Sequence, residues 1–216
     1  LFAMISFVTN LAAPIGVIWK NHPDIGGSNF LGMMGNMMNF LAYLFMGIPA
    51  GKLLSKIGYK KTALVAIAIG FFGILIQYLS GTVGKESTFL SLPGNFYVYL
   101  LGAFIACFSV CMLNNVVNPM LNLLGGGGNT GNRLLQVGAT FNSLSGTFTP
   151  MFVGALIGQV TKETAITDIN LVLYIAMGVF AAAFFILSFI PIQDPETSKA
   201  KNSEKNEHSP WAFRHF

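Results

Sequence analysis

The sequence predicts an all-α membrane protein, a bundle of six transmembrane helices, from its composition and its apolar segments. Hydrophobic residue types make up 53% of the 216 residues and charged types only 9%, whereas a soluble domain usually has about 25% charged residues. So few charges cannot cover a water-facing surface, so lipid is expected to surround most of the chain. Apolar segments long enough to cross a bilayer recur at 1–18, 30–54, 62–83, 95–124, 134–159 and 169–191.

The two ends of the chain are also interpreted from their hydrophobicity. Leu1 lies inside an apolar run that has no basic region before it, so 1–18 is expected to be the remainder of a first span and not a signal peptide. The polar stretch 192–209 is expected to be a cytoplasmic linker, and 210–216 to begin a seventh span. The predicted six-helix domain therefore covers 1–191.

Lysine and arginine predict the orientation, because they collect in cytoplasmic loops. The odd-numbered connections carry three of them, Lys20, Lys85 and Lys162. The even-numbered connections and the tail carry nine: Lys52, Lys56, Lys60, Lys61, Arg133, Lys199, Lys201, Lys205 and Arg214. This asymmetry predicts a multi-pass protein with a cytoplasmic N-terminus. Because the cations are spread over loops and form no basic face, the net charge of +4 does not indicate nucleic-acid binding.

Amide side chains are distributed unevenly over the six predicted spans. Spans 1, 2, 4 and 5 carry them, whereas spans 3 and 6 are almost bare. The order of two polar spans and one apolar span therefore occurs twice. The spacing from Asn10 to Pro14 in span 1 also recurs between Asn115 and Pro119 in span 4. An odd number of spans in each unit inverts the second unit in the membrane, as in secondary transporters. We expect two inverted three-helix repeats, with the four polar spans around a solute route and the other two against lipid.

The individual amides are candidates for lining that route, because an unpaired amide is costly in lipid and favours a bundle interior or a wet cavity. Asn114, Asn118 and Asn122 recur every four residues and so share one helical face. The alternative is that the asparagines hydrogen-bond between helices and only hold the bundle together. The candidate substrate-binding residues are Asn10, Asn39, Asn114, Asn118, Gln136 and Asn142.

Catalysis and cofactor binding are not predicted, because the sequence shows no nucleophile–base pair and no metal-ligand spacing. The glycine run at 125–128 lacks the Gly-Lys-Ser/Thr ending of a phosphate-binding loop, so it is interpreted as a cytoplasmic turn. Cys107 and Cys111 lie four residues apart in an apolar segment and are interpreted as small buried thiols.

The connection between spans 2 and 3 carries a short pattern of glycines and lysines. Its residues are Gly51, Ser55, Lys56, Gly58, Lys60 and Lys61. Gly58 suits a tight reversal of the chain, and a generic hairpin with cytoplasmic lysines is the alternative interpretation. The pattern resembles the loop of the major facilitator superfamily that runs glycine, aspartate, basic residue, glycine and two basic residues. Ser55 stands at the aspartate position.

Span 4 resembles one branch of that family, the fucose–galactose–glucose:proton symporters. The similar residues there are Leu113, Asn118, Pro119, Leu124 and Gly125, whereas Asn114 is a departure from the branch. Arg133, the stretch 141–143 and the stretch 210–214 agree with the resemblance. The resemblance implies the N-terminal six-helix half of a twelve-helix secondary active transporter. Such a protein moves a small polar solute, here a sugar, by alternating access. Its implied partners are the C-terminal half, the lipid bilayer and a coupling ion, H⁺ or Na⁺.

Two departures from the branch bear on ion coupling. Asn114 stands where the branch has a proton-carrying glutamate, and 9–14 contains no acid where the branch has an aspartate. An amide cannot carry a proton near neutral pH, so proton coupling through this half is not expected. Coupling in the other half, sodium coupling and no coupling stay open. A six-helix channel or membrane sensor is the alternative function, although no re-entrant pore segment is recognisable.

Overall fold

The computed structural model of the chain describes residues 1–84, 86–126, 128–158, 160–161 and 164–190. Most of this part is helical: α1 Phe2–Asn21, α2 Asn29–Leu79, α3 Gly94–Leu124, α4 Gly128–Ile157 and α5 Asn170–Phe189. Two 3₁₀ segments, Pro23–Ile25 and Ile166–Ile169, precede α2 and α5. The predicted linker 192–209, the predicted start of a seventh span at 210–216, the cations of the tail, Lys85 and Lys162 lie outside the described residues.

Helix α2 combines the predicted spans 2 and 3 and the connection between them. It is assigned as one element of 51 residues, but Gly58 has φ 81° and ψ 175°, which is not helical. Residues with a Cβ avoid this conformation, and glycine adopts it without steric cost. Gly58 therefore divides α2 into two helical arms, arm 1 over 29–57 and arm 2 over 59–79.

The contacts with α3 show that these two arms run in opposite directions. Along arm 1, Asn39 meets Cys107 and Tyr43 meets Asn114, so arm 1 runs parallel to α3. Along arm 2 the order is reversed, because Gly70 lies against Ser109 whereas Gln77 lies against Gly102. The reversal at Gly58 that the sequence predicts is therefore present.

Small residues let α2 and α3 approach closely. A Cβ added to Gly73 would lie 2.6 Å from the Cα of Ala106, and one added to Gly102 would lie 2.6 Å from the backbone nitrogen of Gln77. Helices that meet through glycine and alanine gain backbone contact, which is how apolar helices associate in lipid. Glycine and alanine thereby bring the backbones of α2 and α3 into contact.

Helices α1, α4 and α5 pack around this pair. The Ser145 hydroxyl in α4 donates to the carbonyl of Ala3 in α1 at 2.8 Å. At the other end of α1, Trp19 is fully buried, and its ring centroid lies 5.0 Å from that of Phe96 in α3. Helix α5 covers arm 2, where the ring of Phe180 lies against Gly70.

The connection between α2 and α3 contains a small hairpin that the sequence analysis did not predict. Strands β1, Thr88–Phe89, and β2, Leu92–Pro93, pair antiparallel. Leu90 and Ser91 between them both have positive φ. Strands of two residues carry no detectable alternation of apolar and polar positions, so pattern analysis could not find them.

Within the described residues, four helices are long and apolar enough to cross a membrane. They are α1, α2, the stretch Ile166–Phe189 with α5, and α3. Helix α4, the predicted fifth span, is not among them, because glutamine, asparagine, serine and threonine recur along it from Gln136 to Thr149. An all-α membrane protein is thus confirmed, whereas the six spans and their inverted repeats stay predictions.

Candidate functional site

Two hydrogen bonds join arm 1 of α2 to α3 through side chains. The thiol of Cys107 donates to the Oδ1 atom of Asn39, which is buried. Two helical turns further along α3, the Nδ2 atom of Asn114 donates to the Tyr43 hydroxyl at 2.5 Å. Asn39 and Tyr43 lie four residues apart and so share one face of α2. We call these four residues the α2–α3 polar interface.

This interface contains two predicted site residues and two that the sequence analysis missed. Asn39 and Asn114 were candidates, whereas Tyr43 was not singled out and Cys107 was interpreted only as a buried thiol. Cys107 and Cys111 are indeed free and buried. The available signal was spacing, because Tyr43 follows Asn39 by one helical turn and Cys107 precedes Asn114 by two.

The asparagine stripe of α3 has three different surroundings. Asn114 is half-buried and bonded to α2, whereas Asn118 is exposed on the surface of the bundle. The side chain of Asn122 lies against Gly131, where the chain turns from α3 into α4. The stripe therefore runs from the α2–α3 polar interface, across an exposed position, to the α3–α4 turn.

Asn10 lies where α1 meets α4. Its amide donates to the Ser6 carbonyl at 2.8 Å and to the Ser6 hydroxyl at 3.3 Å, one turn back in the same helix. A Cβ added to Gly146 of α4 would lie 3.1 Å from the Nδ2 atom of Asn10. Asn10 thus contributes to helix packing, and a contact with solute stays a prediction.

Helix α4 presents Gln136 and Asn142 at different depths. Gln136 is exposed and Asn142 is half-buried. The hydroxyls of Thr140 and Thr147 donate to carbonyls one turn back in their own helix, at 2.9 and 3.1 Å. Such bonds satisfy a hydroxyl without a ligand, so the amides of α4, and not its threonines, are the groups available for a solute.

Lys60 of the loop motif contacts the end of α5, 128 residues away along the chain. Its Nζ atom donates to the carbonyls of Ser188 at 2.9 Å and Ile190 at 2.8 Å. The last carbonyls of a helix have no partner within it and carry partial negative charge, so an ammonium there stabilises the helix end. Lys60 thereby joins the reversal at Gly58 to the C-terminus of α5.

The other members of the motif are more exposed. Gly51, Ser55, Lys56 and Lys61 lie at the surface, and the Ser55 hydroxyl donates to the Lys52 carbonyl at 2.9 Å. Ser55 stands where the similar loop has an aspartate, and here it makes only this local bond among the described residues. The structure therefore assigns this part of the motif no link to another helix of the described part.

Charges of the described part are separated between the two ends of the bundle. The acids Asp24, Glu86 and Asp168 lie in connections at the end where Trp19 contacts Phe96. The end with Gly58 has only cations among the described residues, namely Lys52, Lys56, Lys60, Lys61 and Arg133.

The described residues do not include three or more His, Cys, Asp or Glu placed to hold one metal ion. Amides, hydroxyls and the thiols of Cys107 and Cys111 are thus the main polar groups of the described interior, which suits neutral hydrogen-bonding ligands.

Comparison with known proteins identifies relatives of this chain. It is 30% identical over 185 residues to the glucose/galactose transporter of Brucella abortus biovar 1 (strain 9-941), which covers 82% of this chain and 41% of the relative. It is 27% identical over 186 residues to the putative glucose/galactose transporter of Helicobacter pylori (strain J99), over 82% of this chain and 42% of that protein. The chain thus spans about two fifths of these relatives. No solved structure gives a significant match.

The family comparison covers almost the whole chain. The profile of the Major Facilitator Superfamily matches residues 1–215. This match confirms the resemblance that the loop motif and span 4 indicated, and it places the chain in a class of transport proteins and not of enzymes. The chain belongs to the major facilitator superfamily.

Proposed function

We propose that this chain is the N-terminal half of a secondary active transporter that moves a sugar by alternating access. The family match and the names of the relatives support a sugar transporter. The observation that carries the proposal is the bond between Asn114 and Tyr43, which holds a half-buried amide beside an exposed phenol ring. Each sugar hydroxyl both donates and accepts hydrogen bonds, as an amide does, and an aromatic ring offers an apolar face to the sugar C–H groups.

In this proposal the predicted residues have graded roles. Asn114 and Asn118 contact the solute directly, and Asn39 holds α3 in place through Cys107. Gln136 and Asn142 line the α4 side of the cavity, and Asn10 borders it beside Gly146. The C-terminal half supplies the second wall, so this chain alone does not complete the site.

Proton coupling through this half is not part of the proposal. The described acids lie in connections at one end of the bundle, and Asn114 cannot exchange a proton near neutral pH. Coupling to a proton in the other half, coupling to Na⁺ and uncoupled transport are the three alternatives that an experiment must separate. We also propose the bacterial inner membrane as the location, with the N-terminus and the lysine-rich end in the cytoplasm.

The test is uptake of radiolabelled glucose and galactose by vesicles that contain the full-length protein of which this chain is part. Counterflow in the absence of any gradient shows whether sugar is transported at all, and imposed H⁺ and Na⁺ gradients show which ion drives it. We expect sugar counterflow that Asn114→Ala strongly reduces. Asn21→Ala is the matched control, because the Asn21 amide donates to Val17 in its own helix near a connection.

Two results would count against the proposal. If glucose, galactose and related sugars all fail to exchange in counterflow, the solute is not a sugar. If ions cross the vesicle membrane at channel rates, many orders of magnitude above a carrier turnover, the alternative of a channel replaces the transporter.

A further inference from the structure

An apolar groove runs between arm 2 of α2 and α5 on the outside of the bundle. Its volume is about 210 Å³. Every residue that lines it is apolar, and most are aromatic: Ile67, Phe71, Phe72, Phe180, Phe184 and Phe185 carry the larger side chains. Phe72 and Phe185 are 59% and 62% exposed, so the groove opens outward. Arm 2 and α5 belong to helices apolar enough to cross a membrane, so hydrocarbon is the medium beside them.

One end of this groove lies close to a pair of lysines. Phe184 in the groove precedes Ser188 by one helical turn, about 5.4 Å along the axis, and its carbonyl accepts from the Ser188 hydroxyl. The Ser188 carbonyl in turn accepts from Lys60. Lys61, the next residue, is exposed. The groove thus leads from aromatic rings to an ammonium group within about one turn of helix.

Within the part of the chain that the structure describes, the charge around that end is of one sign. The described acids lie in the connections at the opposite end of the bundle, so none of them neutralises Lys60 or Lys61. An ammonium carries three donors, and Lys60 uses two of them on the Ser188 and Ile190 carbonyls. Lys60 and Lys61 together can therefore donate to a further acceptor with negative charge.

An apolar groove that ends at cations has the chemistry of an anionic phospholipid. We propose that the groove between arm 2 and α5 holds one acyl chain of such a lipid, with its phosphate at Lys60 and Lys61. Basic pockets between membrane helices on the cytoplasmic side are suited to lipid phosphates. A zwitterionic lipid would bring a cationic headgroup to the same lysines, so the site should distinguish headgroups and not acyl chains. The bound lipid would join the reversal at Gly58 to the end of α5 from outside.

Tryptophan quenching by brominated lipids tests this site directly, without reference to transport. The full-length protein carrying Phe72→Trp is reconstituted in phosphatidylcholine vesicles that contain a minor fraction of phosphatidylglycerol, with bromine on the chains of one lipid or the other. We expect bromophosphatidylglycerol to quench the reporter severalfold more strongly than its share of the lipid predicts. The quenching of the Phe72→Trp reporter is compared with that of Val17→Trp as the control, because Val17 lines a second apolar groove, between α1 and α4, whose described lining residues include no lysine.

Lysine substitutions separate headgroup recognition from apolar contact. Lys61→Gln should lower the relative affinity for phosphatidylglycerol about fivefold, the effect of removing about one cation near an anionic headgroup. Lys61→Gln leaves the two Lys60 bonds to α5 in place, so it remains informative if Lys60→Gln fails to fold. Lys52→Gln is the matched control, since Lys52 is an exposed lysine outside the groove.

Two outcomes would overturn the proposal. Equal quenching by brominated phosphatidylglycerol and phosphatidylcholine would mean that the groove contacts bulk lipid without selecting a headgroup. No quenching by either lipid would mean that protein, either a second copy or the other half of the transporter, covers the groove.

Discussion

The side-chain amide of Asn114 in α3 donates to the hydroxyl of Tyr43 in α2 across 2.5 Å, and the two residues are 71 positions apart in the sequence. This bond gives the amide a defined orientation in a helix where Asn118, one turn on, is exposed. Tyr43 is 40% exposed, so its ring is shared between the helix contact and the open side of the bundle. Within the proposed function, Tyr43 positions Asn114 for the solute.

Removal of the Tyr43 hydroxyl should therefore weaken solute binding. Tyr43→Phe keeps the ring and deletes one hydrogen bond, worth about 1 kcal/mol, so the KM for sugar should rise about fivefold. Initial uptake rates in vesicles of the full-length protein measure this change.

A control and a double variant make that test specific. Tyr97→Phe also removes a hydroxyl that donates a hydrogen bond. Its partner is the carbonyl of Phe89, in the connection before α3, so this variant should leave the KM unchanged. Tyr43→Phe added to Asn114→Ala should have little further effect, because residues that act through one bond are not additive. Full additivity of the two changes would show that Tyr43 does not act through Asn114.

Loss of the Lys60 ammonium should destabilise the end of α5. Lys60→Gln removes a positive charge from two terminal carbonyls, which should lower the free energy of unfolding by about 1 kcal/mol. Thermal unfolding of the purified protein in detergent gives the change in Tm. Lys56→Gln, an exposed lysine in the same motif, should leave the Tm unchanged, and an equal fall for both variants would refute the capping role.

Gly58 and Gly51 should respond in opposite ways to the same substitution. Gly58→Ala forces a side chain into an extended conformation with positive φ that is essentially restricted to glycine, which costs about 1–3 kcal/mol. Gly51 is helical and has open space around it, so Gly51→Ala should be neutral or stabilising by up to about 1 kcal/mol. The Tm values of the two variants in detergent check this, and a Gly58→Ala protein as stable as the parent would contradict the backbone geometry.

Enlarging Gly73 should separate α2 from α3. A Cβ at Gly73 would lie 2.6 Å from the Cα of Ala106, and backbone on both sides cannot move aside. Gly73→Ala should therefore cost about 1–3 kcal/mol through overpacking. Gly178→Ala in α5 is the matched control, because nothing lies within 4 Å of its added Cβ. Equal stability of the two variants, measured by chemical or thermal unfolding, would mean that the two helices do not meet at Gly73.

The helical membrane class and the reversal at Gly58 could be predicted from the sequence for local reasons. Apolar runs must satisfy their backbone groups internally in lipid and so become helices, and only glycine adopts the φ found at residue 58 without steric cost. The family could be recognised from the loop motif around Gly58 and from span 4. The helix that least met the expectation was α4, in which polar side chains recur from Gln136 to Thr149 and lower the hydropathy of the whole predicted span.

What the sequence by itself determined is thus the composition of each helix and the places where helices end. The tertiary structure decided the partners: Asn114 with Tyr43, Asn39 with Cys107, and Lys60 with the end of α5. Asn10 and Asn114 are both amides in apolar runs of the sequence. In the structure, however, the Asn10 amide donates to Ser6 of its own helix. The physical reason is that side-chain hydrogen bonds are short-ranged, so their partners depend on how close glycine and alanine contacts bring distant helices.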